Sequence, residues 1–311
     1  MTTLEAVAAY QPARRVPIDE LGAELELTDT QVKVLRRFNG FTEVRRQLPG
    51  ESLTDLLHGA VAALAPLRGK EHLVRYVIHA RGVPVVTPYP ENPVHELTRR
   101  LRLTGAVALT VTHHACASGL LAIDLAGRLL AGDGEPGALA LVVAGEQVFT
   151  LDRRLAPDQR VFGEGAGACL VAADGAHDRL LSYVVSQHGD LDHWDTDGDA
   201  AMARFAADYT ELLGEVILAA VEEAGLAADE VALVLPHNVN LVSWRRVCRS
   251  LGIPLAKVLL DNVALAGHTP SADAFINYAS AVEQGRLRDG DRYLVAAAGL
   301  GSIFSAMVFE H

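Results

Sequence analysis

The sequence predicts a layered α/β protein with buried sheets. Short apolar runs that hold β-branched residues, such as Val107-Ala108-Leu109-Thr110-Val111 and Val231-Ala232-Leu233-Val234-Leu235, alternate with stretches whose apolar residues fall at helical spacing. The second half of the chain repeats the element order of the first, although no sequence repeat is strong enough to prove duplication. With 311 residues, half of them apolar, the chain suffices for one large domain or two fused halves.

The elements follow in order. A helix is expected from about Leu53 to Leu67, then a strand at Leu73–His79, a Pro-rich loop from Val83 to Pro93 and a helix from Pro93 to Arg102. The apolar run from Gly105 to Val111 is the next strand. It leads through Thr112-His113-His114-Ala115-Cys116-Ala117-Ser118-Gly119 into a helical stretch, Leu120 to Leu130, followed by a strand at Ala138–Ala144. The segment Phe162-Gly163-Glu164-Gly165-Ala166-Gly167-Ala168 reads as a bridge between the halves, its small residues suited to close backbone approach and left-handed turns. It is not a phosphate loop, because it lacks the Lys-Ser/Thr ending and runs into the strand Cys169–Ala173. The second half is read as a helix over Asp208–Ala224, a strand at Val231–Leu235, helices over Leu241–Leu251 and Ala272–Gly285, and strands at Tyr293–Ala298 and Phe304–Phe309.

Bulk properties exclude several functions. Lys and Arg number 27 against 39 Asp and Glu, and the net charge of −12 argues against nonspecific nucleic-acid binding. No stretch reaches the roughly 18 uninterrupted apolar residues of a membrane helix. Met1 to Arg15 lacks the basic start and apolar core of a signal peptide. Cys116, Cys169 and Cys248 are too scattered for a disulfide framework, so a cytoplasmic location is expected.

Cys116 is the most informative residue. A thiol in a tight turn at a helix start meets unpaired amide N–H groups and the positive end of the helix dipole, which favour the nucleophilic thiolate. The alternative is a small buried hydrophobe. Two histidines match it in kind. His237, in Pro236-His237-Asn238-Val239-Asn240, leaves the carboxyl end of a strand, where ligands gather in open α/β sheets. His268, in Ala266-Gly267-His268-Thr269-Pro270-Ser271-Ala272, sits in a sharp turn entering a helix. A thiol with two such partners suggests acyl transfer or carbon–carbon bond formation.

These residues resemble the β-ketoacyl-acyl-carrier-protein synthase III family of the thiolase superfamily. The Cys turn, the Phe162–Ala168 segment, Pro236-His237-Asn238-Val239-Asn240, Gly267-His268-Thr269 and the glycine-bearing C-terminal strand pair carry the likeness, most clearly from Thr104 to Val308. The resemblance implies a five-layered αβαβα thiolase-like fold of two related halves, residues 1–172 carrying the nucleophile and 173–311 carrying both histidines, acting as a homodimer. It makes Cys116 the residue that takes an acyl group as a thioester and His237 the histidine of a Cys-His-Asn set. His268 falls where the family has asparagine. The Cys116 N–H, with Gly299 or Gly301, is implied as the oxyanion hole.

Two reactions stay open. A Cys-His-His set performs decarboxylative condensation in related elongating enzymes, with both rings donating to the thioester oxygen of a malonyl-type unit. Related acyltransferases instead move the acyl group to an alcohol or amine, and His268 would then act as a general base. A non-catalytic partner subunit is a third reading, against which the retention of Cys116 and His237 speaks. No cofactor is expected, the substrates being carried on the phosphopantetheine of an acyl carrier protein or coenzyme A.

The family's arginine contacts to coenzyme A are replaced here by Thr42 and Val242, which favours carrier-bound thioesters. Arg245, Arg246 and Arg249, on the helix after His237, form the expected basic face for an acidic carrier protein; a solvated helix face is the alternative. Tyr89, between Pro88 and Pro90, is implied to shape the acyl pocket, and Asn240 is a further substrate contact. These departures favour polyketide or other specialised metabolism over primary fatty acid biosynthesis. The crowded acids Asp190, Asp192, Asp195, Asp197 and Asp199 with His193 fail the calcium-loop pattern at Ala200 and Ala206, so no metal is expected. His113 is a candidate proton relay, and Cys169 and Cys248 read as core residues.

Overall fold

The structure, a computed structural model, describes residues 1–82, 90–148, 161–189 and 198–311. The chain opens with β1 (Thr3–Tyr10) and β2 (Arg14–Pro17), then α1 (Ile18–Glu24), α2 (Asp29–Arg37) and β3 (Glu43–Arg46). Next come α3 (Leu53–Ala62), β4 (Val74–Ala80), α4 (Pro93–Arg100), β5 (Val107–Val111), α5 (Ser118–Asp133), β6 (Leu139–Glu146) and β7 (Gly165–Ala172). The remainder is β8 (Arg179–Gln187), α6 (Gly198–Glu223), β9 (Val231–Pro236), α7 (Leu241–Leu251), α8 (Asp261–Leu265), α9 (Asp273–Glu283), β10 (Arg292–Gly299) and β11 (Ile303–Glu310).

Among the described residues nine strands run in the order β5-β4-β6-β7-β1-β8-β11-β10-β9, while β2 and β3 form a separate ribbon. The nine are two blocks joined where Thr3 pairs with Arg179. In the first block, β4 lies parallel to β5 and β6, and β7 runs antiparallel to β6 and β1. The second block repeats this: β10 is parallel to β9 and antiparallel to β11, which is antiparallel to β8. A lone parallel bridge from Val234 to Val258 stands where β5 stands in the first block. Read from the outer edge inward, both blocks place their chain segments third, second, fourth, fifth, first. The two related halves expected from element order are therefore present in the topology.

Three apolar clusters stack the blocks into five layers. Leu56, Leu57 and Val61 of α3 and Leu97 of α4 cover the outer face of the first block against Val77, Leu141 and Leu170. Phe205, Leu213 and Ile217 of α6 and Trp244 and Val247 of α7 cover the outer face of the second against Leu294, Phe304 and Val308. Between the blocks, α5 and α9 supply Leu120, Ile123, Phe275 and Ile276 to a core shared with Val142 on one side and Val295 and Met307 on the other. Each such large side chain, once buried, contributes about 1.5–3 kcal/mol. This burial explains why Ala115–Asp133, apolar and long enough to cross a membrane, is a core helix, with 61% of its window inside the fold.

The ends of these helices are set locally. Ser52 and Asp55 form a capping box for α3, and Asn240 caps α7 through an Oδ1 that accepts from the Ser243 amide at 2.8 Å. α7 occupies the span expected from its periodicity, Leu241–Leu251. The Gly-rich segment differs from expectation. Gly165 and Gly167 lie inside β7, not in a turn, and none of Gly163, Gly165 and Gly167 has a positive φ. Their smallness serves close approach: a Cβ on Gly167 would sit 2.1 Å from the Phe275 Cβ of α9.

Candidate active site

Cys116 lies in a single 3-10 turn, Ala115–Ala117, that passes from β5 into the first turn of the 16-residue helix α5. The residue before it, Ala115, has φ +46°, a left-handed conformation that costs a non-glycine residue about 1–3 kcal/mol. Neighbours hold it there. Ser271 Oγ donates to the Ala115 carbonyl at 3.1 Å and the Ser271 amide to the Cys116 carbonyl at 3.2 Å. Ser271 itself has φ +60°. Gly299, at the end of β10, approaches so closely that a Cβ there would be 2.2 Å from the His114 carbonyl oxygen. The Cys116 side chain is buried at 8% exposure beside the helix start.

His237 leaves β9 immediately after Pro236. Its amide donates to the Ala296 carbonyl at 3.0 Å, and its own carbonyl accepts from Trp244 Nε1 at 2.9 Å. Its ring Nε2 meets the Tyr209 hydroxyl at 2.8 Å. His268 follows Gly267, whose φ of +71° turns the chain. The His268 amide donates to the Val161 carbonyl at 2.8 Å, its carbonyl accepts from the Gly163 amide at 2.9 Å, and Phe162 lies against the ring at 5.3 Å. The two imidazole centroids are 6.0 Å apart.

Behind the histidines stands Asp273, which sequence reasoning missed. Its Oδ2 takes His268 Nδ1 at 2.5 Å and the Asn238 amide at 2.6 Å; its Oδ1 accepts from the Thr269 amide at 2.8 Å, Thr269 Oγ1 at 2.5 Å and Asn238 Nδ2 at 3.1 Å. One buried carboxylate therefore ties the loop after β9 to the turn before α9. Burial opposes charge on both partners, yet the His268 charge and this cage of donors hold Asp273 below the usual carboxylate range. For His268, burial favours the neutral ring. The charge of Asp273, the Cys116 sulfur and hydrogen bonds from both outweigh it and push the imidazole up to about 10. With Nδ1 engaged by Asp273, Nε2 is the nitrogen left to meet the sulfur.

Of the other expected residues, Gly299 lies against the Cys116 turn and Gly301, φ +94°, is at the tip of the β10–β11 hairpin. A cleft of about 300 Å³ is lined by Asn39, Phe205, Tyr209, Asn240, Val242 and Arg246, and its Tyr209 meets the His237 ring. Asn240 thus reaches the cleft while capping α7. Arg245, Arg246 and Arg249 are all exposed on α7, Arg246 at the cleft. Thr42 is exposed, His113 is exposed, and the half-buried His114 is lowered by burial and then by His113. Cys169 and Cys248 are buried, their thiols raised by burial. Tyr89 and the acidic run 190–197 lie outside the described residues. Among the described residues no group of His, Cys, Asp and Glu is arranged to hold a metal.

Residues 221–311 match the family described as 3-oxoacyl-[acyl-carrier-protein] synthase III, C-terminal. A β-ketoacyl-[acyl-carrier-protein] synthase III of Lactobacillus delbrueckii subsp. bulgaricus is 32% identical over 213 residues, which cover 62% of this chain and 64% of that protein's length. The Nitratidesulfovibrio vulgaris (strain DSM 19637 / Miyazaki F) protein of the same name is 27% identical over 97% of this chain and 95% of its own. The crystal structure of 3-oxoacyl-[acyl-carrier-protein] synthase III from Aquifex aeolicus superposes over 100% of both chains with a TM-score of 0.85 at 22% identity. The architecture is thus thiolase-like throughout.

Proposed function

Because this chain belongs to the β-ketoacyl-acyl-carrier-protein synthase III family, we propose that it forms an acyl thioester on Cys116 and condenses it decarboxylatively with a malonyl-type thioester. The observation that carries this reading is the hydrogen bond between His268 and Cys116, with the His237 ring centroid 6.0 Å from that of His268. In the first step the Cys116 thiolate attacks the acyl carbonyl, and the pantetheine sulfur leaves as a thiolate that is protonated in solvent. Developing negative charge on the carbonyl oxygen is met by the Cys116 amide and the Gly299–Gly301 hairpin; a removed donor of this kind costs about 3–4 kcal/mol of barrier. In the second step the bond to the malonyl carboxylate breaks, CO₂ leaves, and the electron pair passes into an enolate whose oxygen faces the histidine donors. The enolate carbon attacks the acyl-Cys carbonyl, the carbon–sulfur bond breaks, and the Cys116 thiolate returns. Atoms and charge balance without a cofactor.

The finer features are part of the same proposal. The chain divides at 172/173 into a nucleophile half and a histidine half. Val242 and Thr42 offer no cation to a nucleotide phosphate, and exposed Arg246 lines the cleft with Arg245 and Arg249 exposed on the same helix, which supports carrier-bound substrates in specialised metabolism. Among the described residues β5 stands at one edge of the sheet with no further strand beside it and Val107 57% exposed, which supports a homodimer through that edge.

One observation favours a second reading. A histidine oriented by a buried carboxylate is also the arrangement of a general base, so His268 and Asp273 suit acyl transfer to an alcohol or amine. Acyl-carrier and acyl-coenzyme A donors, each with a malonyl thioester, are to be assayed for CO₂ release and β-ketoacyl product by mass spectrometry. Condensation predicts both, with loss of the acyl adduct in Cys116→Ala. An adduct that yields no CO₂ but passes to an added alcohol or amine overturns it.

A further inference from the structure

Asp273 has no acid–base task in the reaction just described, yet it is 3% exposed and gathers five donor contacts. Such a site holds a carboxylate ionised and immobile, since each donor favours the charged form. The His268 ring is 0% exposed, so the nearest groups decide its state. The titratable groups that face it, among the described residues, are Cys116 from the nucleophile turn, His237 from the loop after β9 and Asp273 from α9. Of the two that favour a charged ring, only Asp273 persists after acylation, because the sulfur then carries no charge.

We propose that Asp273 is a positioning residue which keeps His268 a cationic hydrogen-bond donor through the second half-reaction, its Nε2–H aimed at the thioester oxygen of the extender. The inference rests on the condensation reading and deepens it. An imidazolium donates a shorter, stronger bond than a neutral amide or imidazole, and it is the wrong state for a base that must take a proton from an alcohol. The same carboxylate that suits a triad therefore commits this site to enolate stabilisation, provided the proton stays on the ring when the thiolate is gone.

Histidine imidazoles labelled with ¹⁵N report this directly, with His268→Gln assigning the signal. In the wild type His268 is expected to be doubly protonated at pH 7.5. In Cys116→Ala, where no thiolate exists, it is expected to remain so. In Asp273→Asn its midpoint is expected at least about one pH unit lower, a tenfold fall in the protonated fraction above that midpoint, and the alkaline limb of CO₂ release is expected to move by the same amount, with kcat measured above the wild-type midpoint lowered about tenfold and KM little changed. A neutral His268 in Cys116→Ala at pH 7.5, or an unmoved midpoint in Asp273→Asn, overturns the proposal; the former needs no variant at Asp273 and stands even if Asp273→Asn fails to fold. If the wild type releases no CO₂ from any donor, condensation falls, and with it the donor role at the enolate. The NMR titration then shows separately whether Asp273 holds the ring charged.

Discussion

Gly299→Ala is expected to damage the site more than the fold. The added Cβ would lie 2.2 Å from the His114 carbonyl oxygen, 3.0 Å from its carbon and 3.1 Å from the Ala115 Cβ. Side-chain carbons do not approach closer than 3.0 Å, so something must yield by about 0.8 Å. The obstacle is backbone, and it belongs to the turn that presents Cys116. Overpacking of this kind costs about 1–3 kcal/mol of stability. A displacement near 1 Å at a reacting group costs about 100-fold in rate. Thermal melts together with Cys116 acylation rates, measured by intact mass, separate the two. Gly132→Ala is the control: it lies in α5 with nothing within 4 Å, so the substitution should be neutral or stabilising by about 0.4–1 kcal/mol. Wild-type acylation by Gly299→Ala would refute the claim that this contact sets the nucleophile's position.

Three other outcomes are expected. His79 is fully buried with Nε2 on the Gly145 carbonyl, and burial chiefly, with Arg81, pulls it down to about 3. Its folded value lies below the unfolded value of about 6.5, so the unfolded chain binds more protons between them, and stability falls with pH by up to about 1.4 kcal/mol per unit until near 3. Urea midpoints of His79→Gln should show a shallower slope from pH 6.5 to 4; an identical slope removes His79 as the source. Charge reversal of Arg245, Arg246 and Arg249 together should raise KM for an acyl-carrier donor about tenfold at low salt and leave a free pantetheine thioester unaffected; equal effects on both donors would place the arginines elsewhere in the reaction. Lysine at Val107 and Thr110, both exposed on β5, should shift sedimentation velocity toward monomer, and an unchanged dimer would assign the interface to another face.

Segments that read correctly from sequence were those whose burial shows in their own pattern. β9, β10 and β11 are continuous apolar runs, and α7 carries an apolar stripe between an Asn cap and a glycine at φ +68°. β1 went unread because Thr3–Tyr10 is alanine-rich with few β-branched residues; its strand state comes from pairing with β7, more than 150 residues away. β7 was divided for a related reason. Its glycines resemble a turn in isolation and become strand because Phe275 and Ile276 of α9 press on them. Cys116, His237 and His268 were legible because each stands beside a recognisable turn. Asp273 and Tyr209 were not: an acid in a helix's first turn is commonplace, and a tyrosine on an amphipathic helix reads as core. A His-Thr pair four and five residues before a buried acid was the one available signal.

Strain supplies an independent argument that these groups form one working site. Among the described residues five non-glycine residues have a positive φ, and three of them, Ala115, Ser271 and Ser302, are buried. Ala115 precedes Cys116, Ser271 holds that turn from the loop after His268, and Ser302 closes the β10–β11 hairpin beside Gly299. At about 1–3 kcal/mol each, such conformations persist only where surrounding packing over-determines them. Here the central layer does so, with α5 and α9 locked between the two blocks of strands. Glycine would relieve the strain at any of the three, but at Ala115 it would remove a buried methyl and at Ser271 the hydroxyl that donates to the Ala115 carbonyl. The strained residues stand where the Cys116 turn, the His268 turn and the hairpin meet, and the Ser271 hydrogen bonds and the close approach of Gly299 to His114 hold these three segments against one another.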